Sequence, residues 1–139
     1  MVVVAHPDDA EFGCGGSVAK WVKEGKEVAY VILTNGDKGS GDRRMTSERL
    51  AKVREEEQRN AALTLGVQRV QFLGYPDGEL EDTREVRRAV TAEIRRGRPD
   101  LLVTQNSHRT TNLYASHRDH RIAAGVALDC VYQIGRAHV

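Results

Sequence analysis

The sequence predicts an α/β fold, a three-layer α/β/α sandwich with a mainly parallel sheet. Two observations support this prediction. Short runs of β-branched and other apolar residues do not alternate with polar ones, which is typical of strands buried on both faces. These runs alternate along the chain with helical segments in the order β-α-β-α-β-α-β-α, which favours right-handed crossovers that place helices on both sides of the sheet.

The first half of the chain contains two predicted strands, at residues 2–5 and 27–33, each followed by a helix. The first helix is predicted over residues 17–24, after a polar turn and a glycine cluster at residues 13–16. The cluster lacks the spacing of a dinucleotide fingerprint, and the loop before it is acidic, which would repel a pyrophosphate. Close packing of the helix on the sheet therefore explains these glycines better than nucleotide binding does.

A loop over residues 34–45 follows the second strand and is longer than a simple connection requires. Loops of this length are usually functional or mobile. Thr46 is a plausible cap for the next segment, in which small and apolar residues recur on a charged background. This segment is predicted to be a long amphipathic helix that ends at Gly66.

The second half of the chain repeats the alternation. Short strands are predicted at residues 70–73 and 101–104, and helices at residues 82–96 and 119–131. In the commonest order of such doubly wound, Rossmann-like sheets, strand 1 lies beside strand 4, and ligands bind in the crevice outside their carboxyl ends. We therefore expect two polar segments to meet in that crevice: His6-Pro7-Asp8-Asp9 and His117-Arg118-Asp119-His120.

The composition excludes partners that bind through bulk charge. The chain has 21 Lys+Arg against 20 Asp+Glu, a formal charge of +1, and so has no general attraction for nucleic acid or an anionic membrane. No apolar run is long enough to span a bilayer. Cys14 and Cys130 follow no signal peptide and are interpreted as reduced thiols, which predicts a cytoplasmic protein.

Histidine and carboxylate side chains in one crevice favour a zinc site with an open coordination position. Catalytic zinc needs three protein ligands, a water, and a nearby base that is not committed to the metal. Asp8 and Asp9 are adjacent and point differently, so one can bind the metal while the other takes a proton. A histidine of the second segment can polarise a carbonyl or protonate a leaving amine, and spacing alone leaves open whether His117 or His120 does so.

Several segments together form a recognisable pattern: Ala5-His6-Pro7-Asp8-Asp9-Ala10-Glu11 with Gly13-Cys14-Gly15-Gly16, Thr34-Asn35-Gly36, the Arg54 to Glu57 pair, Tyr75-Pro76-Asp77 and His117-Arg118-Asp119-His120-Arg121. The pattern resembles the PIG-L/LmbE-like deacetylase family, zinc enzymes that remove an acetyl group from N-acetylglucosamine conjugates. The resemblance covers residue 1 to about Val131.

The resemblance implies that His6, Asp9 and His120 bind zinc and that Asp8 is the general base. It implies amide hydrolysis, in which water deprotonated by Asp8 attacks the acetyl carbonyl and acetate and a free amine leave. The expected function is thus zinc-dependent deacetylation of a small amino-sugar conjugate, with another divalent transition metal as a further option. The alternatives are a metal-dependent amidase or esterase acting on another sugar conjugate, and a non-catalytic carbohydrate-binding fragment.

Further roles follow from the same resemblance. His117 is implied to be the electrophile or general acid, with Asp119 orienting it, and Arg54 and Asp77 match positions that hold sugar hydroxyls. Without the resemblance, Arg54 would be interpreted as a surface i,i+4 ion-pair residue and Asp77 as an ordinary turn residue. Tyr114 lies near the second histidine segment and is a candidate to face the substrate.

The end of the chain departs from the family pattern. Members of the family are substantially longer, and residues 133–139 match a translated frame of a common DNA sequencing adapter. We therefore expect residues 1–132 to be the N-terminal portion of a single deacetylase domain, with the C-terminal part missing. Such a fragment would leave a sheet edge and part of the crevice uncovered, so it is expected to be less stable and prone to associate as a homo-oligomer.

Overall fold

The computed structural model describes residues 1–108 and 117–136, with side chains up to residue 132. The described chain alternates strands and helices as predicted: β1 (Val2–Val4), α1 (Asp9–Lys23), β2 (Ala29–Thr34), α2 (Ser47–Thr64), β3 (Arg69–Tyr75), α3 (Arg84–Gly97), β4 (Val103–Thr104) and α4 (Arg118–Arg136). The predicted substrate-facing Tyr114 lies outside the described residues.

The four strands form one parallel sheet in the order β3-β2-β1-β4. Strand β1 is central, with Val2 paired to Tyr30 on one side and to Val103 on the other. The predicted neighbourhood of the first and fourth strands is therefore confirmed. The carboxyl ends of β1 and β4 therefore lie side by side at the C-terminal end of the sheet. A doubly wound fold binds its ligands in the crevice outside these strand ends.

Alternate residues of the central strands face two separate apolar clusters, which makes the fold a three-layer sandwich as predicted. On one face, Val3 and Val31 pack with residues of α3 and α4, and on the other face Val4 and Ile32 pack with residues of α1 and α2. Val2–Val4 are all buried, which explains why these strands show no alternation of polar and apolar residues.

Helix α1 begins earlier than the sequence predicts. It starts at Asp9 rather than at residue 17, and it runs through the glycine cluster with a kink at Cys14, where φ is −148°. The expectation that these glycines allow close packing is wrong: a Cβ at Gly13 or Gly16 would meet nothing within 4 Å, and one at Gly15 would make only ordinary contacts.

Helix α4 also extends past its predicted end at residue 131 and continues to Arg136. The non-native origin of residues 133–139 stays a prediction. Within the described ranges, no helix is both long enough and apolar enough to cross a membrane.

Candidate functional site

The His6–Asp9 turn leaves the sheet at the carboxyl end of β1, at a point held by both neighbouring strands. The Ala5 carbonyl accepts hydrogen bonds from the Thr34 amide (2.8 Å) and hydroxyl (2.9 Å). The Ala5 amide donates to Gln105 Oε1 (3.1 Å), which follows β4. These contacts fix where the strand ends, and therefore where the polar turn begins.

Donor atoms of three residues from the two predicted segments converge beside this turn. His120 Nε2 lies 3.1 Å from His6 Nδ1 and 3.1 Å from Asp9 Oδ1, and His6 Nδ1 lies 3.3 Å from Asp9 Oδ2. Ligands placed tetrahedrally at about 2.0–2.1 Å from a zinc ion are ~3.3–3.4 Å from one another. The donor types and their spacing therefore fit a tetrahedral divalent ion such as Zn²⁺.

The other nitrogen of His6 faces two carboxylates. His6 Nε2 lies 2.9 Å from Asp77 Oδ1 and 3.3 Å from Asp119 Oδ2. Asp119 is fully buried, and its Oδ2 also accepts from the Gly78 amide at 2.7 Å. This is the arrangement in which a carboxylate orients a metal-binding histidine and raises its basicity.

This arrangement places Asp77 and Asp119 differently from the sequence expectation. The Asp119 carboxylate contacts His6, and its link to His117 runs instead through its backbone amide, which donates to His117 Nδ1 at 3.2 Å. Asp77 was expected among the sugar hydroxyls, and it lies against the imidazole of a candidate metal ligand. Residue spacing predicts which segments meet, but it does not predict the orientation of each side chain in the site.

The three histidines form one cluster at the crevice. The His117 ring centroid lies 4.8 Å from that of His6 and 4.9 Å from that of His120, and one nitrogen from each ring can be chosen so that all lie within 4.8 Å of one another. His117 is exposed and directly precedes α4. It is therefore the histidine of the cluster that solvent and a ligand reach most easily.

Charges in the cluster favour different protonation states at its members. Burial opposes protonation of His6, but the hydrogen bond to Asp9 and the carboxylates around Nε2 outweigh it and raise the pKa of the ring. Burial also opposes ionisation of Asp9, yet hydrogen bonds from His120 and His6 hold the pKa of its carboxyl well below the usual range. Burial, together with positive charge on His6 and His120, lowers the pKa of His117, which favours a neutral ring near pH 7.

Asp8 lies outside the histidine cluster proper and contacts helix α2. Its side chain is 49% exposed, and Oδ2 accepts a hydrogen bond from Arg54 Nη2 at 2.8 Å. Arg54 also donates to the Pro7 carbonyl (3.0 Å) and to Glu57 (3.1 Å). Arg54, expected at sugar hydroxyls, is thus engaged with the turn that carries Asp8.

Sequence reasoning missed Gln58, which also contacts this turn. Gln58 is 2% exposed, and its Oε1 accepts from the Asp8 amide at 2.7 Å. A signal was present in α2, where Leu50, Arg54, Gln58 and Ala62 follow one another at intervals of four and so share a face. Arg54 and Gln58 lie between the apolar Leu50 and Ala62 on a face that packs against the core. Polar residues at such positions indicate that this part of the helix contacts polar groups.

The long loop after β2 flanks the site. Asp37 Oδ1 accepts from the Asp77 amide at 2.8 Å, and Lys38 forms an ion pair with Glu79. Gly36, at φ +65°, lies so close to the turn that a Cβ there would be 3.3 Å from Pro7 Cδ. The loop therefore supports both the His6–Asp9 turn and the turn that presents Asp77.

A parallel doubly wound sheet, with histidines and carboxylates gathered where β1 and β4 end, defines an α/β domain with a ligand-binding crevice at its topological switch point. The family model described as PIG-L, GlcNAc-PI de-N-acetylase, matches residues 1–131. The chain belongs to the PIG-L family, which confirms the resemblance seen in the sequence.

Curated relatives of the chain carry deacetylase names. The chain is 34% identical over 131 residues to diacetylchitobiose deacetylase of Thermococcus kodakarensis, covering 94% of this chain and 48% of the relative. It is 29% identical over 125 residues to the probable N-acetyl-α-D-glucosaminyl L-malate deacetylase 2 of Bacillus anthracis, covering 86% of this chain and 53% of the relative. The chain spans about half the length of these relatives.

A solved structure confirms the fold. N,N'-diacetylchitobiose deacetylase from Pyrococcus horikoshii, complexed with its inhibitor MPG, superposes with a TM-score of 0.89 at 34% identity. The match covers 94% of this chain and 48% of that one.

Proposed function

We propose that this domain hydrolyses the N-acetyl amide of an N-acetylglucosamine-type conjugate and releases acetate and a free amine. The observation that carries the proposal is the convergence of His6 Nδ1, His120 Nε2 and the Asp9 carboxylate: each nitrogen lies within 3.3 Å of one Asp9 oxygen, and the two nitrogens are 3.1 Å apart. Asp8 directly precedes Asp9 in the chain. The deacetylase names of the relatives support the same reaction, and their substrates support an amino-sugar conjugate as the substrate class.

The metal in this proposal is Zn²⁺ held by His6, Asp9 and His120, three protein ligands that leave a fourth position open. Zn²⁺ bound there would acidify a water and polarise the acetyl carbonyl. Asp77 and Asp119 hold the His6 ring from its far side through Nε2 and so favour the tautomer whose Nδ1 is free to bind the ion.

Asp8 is the proposed general base. It is the immediate neighbour of the ligand Asp9, and its half-exposed carboxylate is accessible to water. The carboxylate takes the proton of the water that attacks the acetyl carbon. Arg54 holds one carboxylate oxygen, Oδ2, which restricts the directions that the side chain can take.

His117 is the proposed electrophile. Because the Asp119 amide donates to Nδ1, that nitrogen carries no proton in the neutral ring, and the proton resides on Nε2. The Nε2–H group can then donate to the carbonyl oxygen as it gains negative charge. Asp119 thus orients His117 through its backbone amide, while its carboxylate contacts Nε2 of His6.

Sugar recognition is assigned to Arg54 and Asp77. Asp77 contacts His6 through Oδ1, and we assign its Oδ2 to a sugar hydroxyl. Arg54 is assigned to a second hydroxyl beside Asp8.

The reaction is tested by incubating the Zn²⁺-loaded protein with N,N'-diacetylchitobiose and with N-acetylglucosamine conjugates, and measuring whether acetate and free amine are released in equal amounts. Release from sugar esters but not from any N-acetyl amide would contradict the deacetylase assignment.

Replacing His117 by alanine is expected to lower the rate of deacetylation by about 10²–10³-fold, the usual cost of losing one donor to a developing oxyanion. The bound metal should remain, because His117 is not among the three proposed ligands. Metal content by elemental analysis and acetate release measured on the same sample separate the two effects. Loss of metal together with the rate would mean that His117 is a ligand.

Replacing Asp77 by alanine is expected to weaken metal binding by about 10- to 100-fold, because His6 loses a carboxylate that orients it. Competition with a chelator of known affinity measures this change. Glu79→Gln is the matched control, since Glu79 lies two residues away and pairs with the exposed Lys38. An unchanged metal affinity with a raised KM would show that Asp77 serves the sugar alone.

A further inference from the structure

The backbone of Asp8 has a conformation that L-residues avoid. Its φ is 84° and its ψ is −23°, and among the described residues only Arg98 is another non-glycine with positive φ. The left-handed region costs an L-residue roughly 1–2 kcal/mol and persists only where surrounding contacts enforce it. Arg98 directly follows helix α3 as its C-cap, a position where a left-handed residue is common. Asp8 precedes helix α1, and this position has no such general explanation.

Two residues of α2 hold the peptide group between Pro7 and Asp8 from both ends. The carbonyl of this peptide belongs to Pro7 and accepts from Arg54 Nη2 at 3.0 Å, while its N–H belongs to Asp8 and donates to Gln58 Oε1 at 2.7 Å. A rotation of this peptide plane is what would change the sign of φ at Asp8. Such a rotation would break both hydrogen bonds at once.

The orientation of the Gln58 amide is set by its partners. A backbone N–H can only donate, so the atom facing Asp8 is the oxygen, and the NH₂ group donates to Glu11 Oε1 at 2.8 Å. Both ends of a buried polar side chain are therefore paired, which is the condition under which burying it costs little. The Asp8 side chain makes no cap hydrogen bond to α1, and the acceptor for the Asp8 amide is Gln58.

We propose that Gln58 is a positioning residue for Asp8: it fixes the Pro7–Asp8 peptide, together with Arg54, in the orientation that gives Asp8 its left-handed backbone and aims its carboxylate. This inference rests on the proposed function, in which Asp8 is the general base. It predicts that Gln58 affects the rate only through Asp8, and that it does not affect the metal or the affinity for substrate.

The test compares Gln58→Met, which has a similar size but no acceptor, with the exchange variant Gln58→Glu/Glu11→Gln. The exchange keeps an oxygen facing the Asp8 amide, keeps a donor–acceptor pair between positions 58 and 11, and leaves the net charge unchanged. Gln58→Met is expected to lower kcat about 10- to 100-fold at unchanged KM and metal content, as a misaimed catalytic group does. The exchange variant is expected to recover most of the rate.

A double-mutant cycle shows whether Gln58 acts through Asp8. In an Asp8→Asn background the carboxylate to be aimed is gone, so adding Gln58→Met should change kcat by less than about twofold. An equal loss in both backgrounds would overturn the inference and give Gln58 a merely structural role. Full hydrolysis by Asp8→Asn alone would instead contradict the proposed function, so the two failures are distinguishable.

Amide hydrogen exchange supplies a readout that does not depend on catalysis. In the unmodified protein, the Asp8 amide should exchange much more slowly than an unprotected amide, because it is bonded to a buried oxygen. In Gln58→Met this protection should be lost while that of β1 and β2 amides is retained. Rapid exchange of the Asp8 amide in the unmodified protein would refute the inference directly.

Discussion

Asp8→Asn is expected to lower the rate of deacetylation by about 10²–10⁴-fold while metal content stays unchanged, because the proposed base is lost and no proposed ligand is altered. Asparagine is the suitable replacement here. It matches aspartate in size and tolerates the left-handed backbone that this position adopts. Acetate release at saturating substrate, measured alongside metal content, gives the rate per metal-bound site.

The control for this experiment is Asp42→Asn in the long loop. Asp42 contacts Arg44 and has no contact with the histidine cluster among the described residues, so its replacement should leave the rate within a factor of two. If Asp8→Asn hydrolyses the amide at the unmodified rate, Asp8 is not the base. A normal rate accompanied by a raised KM would move Asp8 to substrate binding.

His120→Ala is expected to weaken metal binding by more than about 100-fold, beyond the range found for residues that only support a ligand. His120 Nε2 is the atom that faces both Asp9 and His6, so its loss leaves two ligands where a tetrahedral site with an open position needs three. Elemental analysis after dialysis, and titration with Zn²⁺ against a chelator, measure the loss. Hydrolysis should fall in proportion to metal occupancy.

His108→Ala provides the matched control, because it makes the same substitution at a described histidine outside the cluster. Its metal content and rate should equal those of the unmodified protein. Retention of metal by His120→Ala with loss of rate, and the opposite result for His117→Ala, would exchange the roles of these two histidines. Chelation of the unmodified protein should abolish hydrolysis, and added Zn²⁺ should restore it.

The fold could be predicted from the sequence because its determinants are local and repeated. Buried strands such as Val2–Val4 are continuous in apolar residues, and the amphipathic segments between them are long enough to be helices. The start of α1 could not be predicted in this way. Glycines at 13, 15 and 16 oppose a helix by about 1 kcal/mol each, and the contacts of Arg54 and Gln58 that fix its entry come from residues more than 40 positions away.

The sequence predicts which two histidine-containing segments meet at the candidate site, but not how their side chains are oriented there. The strand order brings His6 and His120 together although they are 114 positions apart, and both residues lie in motifs that the sequence analysis identifies. No pattern in the sequence indicates that His6 turns Nδ1 toward His120 and Nε2 toward Asp77, because ring orientation is decided by packing and hydrogen bonds. Gln58 is marked in the sequence only by its place on the face of α2 that packs against the core, because its partner is a backbone amide and no side-chain motif contains it.

The left-handed backbone of Asp8 sets two selective pressures against each other at one position. Glycine adopts this conformation without the penalty that other residues carry, so a chain selected for stability alone would favour glycine at residue 8. Glycine would also remove the carboxylate. On the proposed role of Asp8 as general base, the aspartate keeps its carboxylate at some expense of stability, as strained residues at functional sites do.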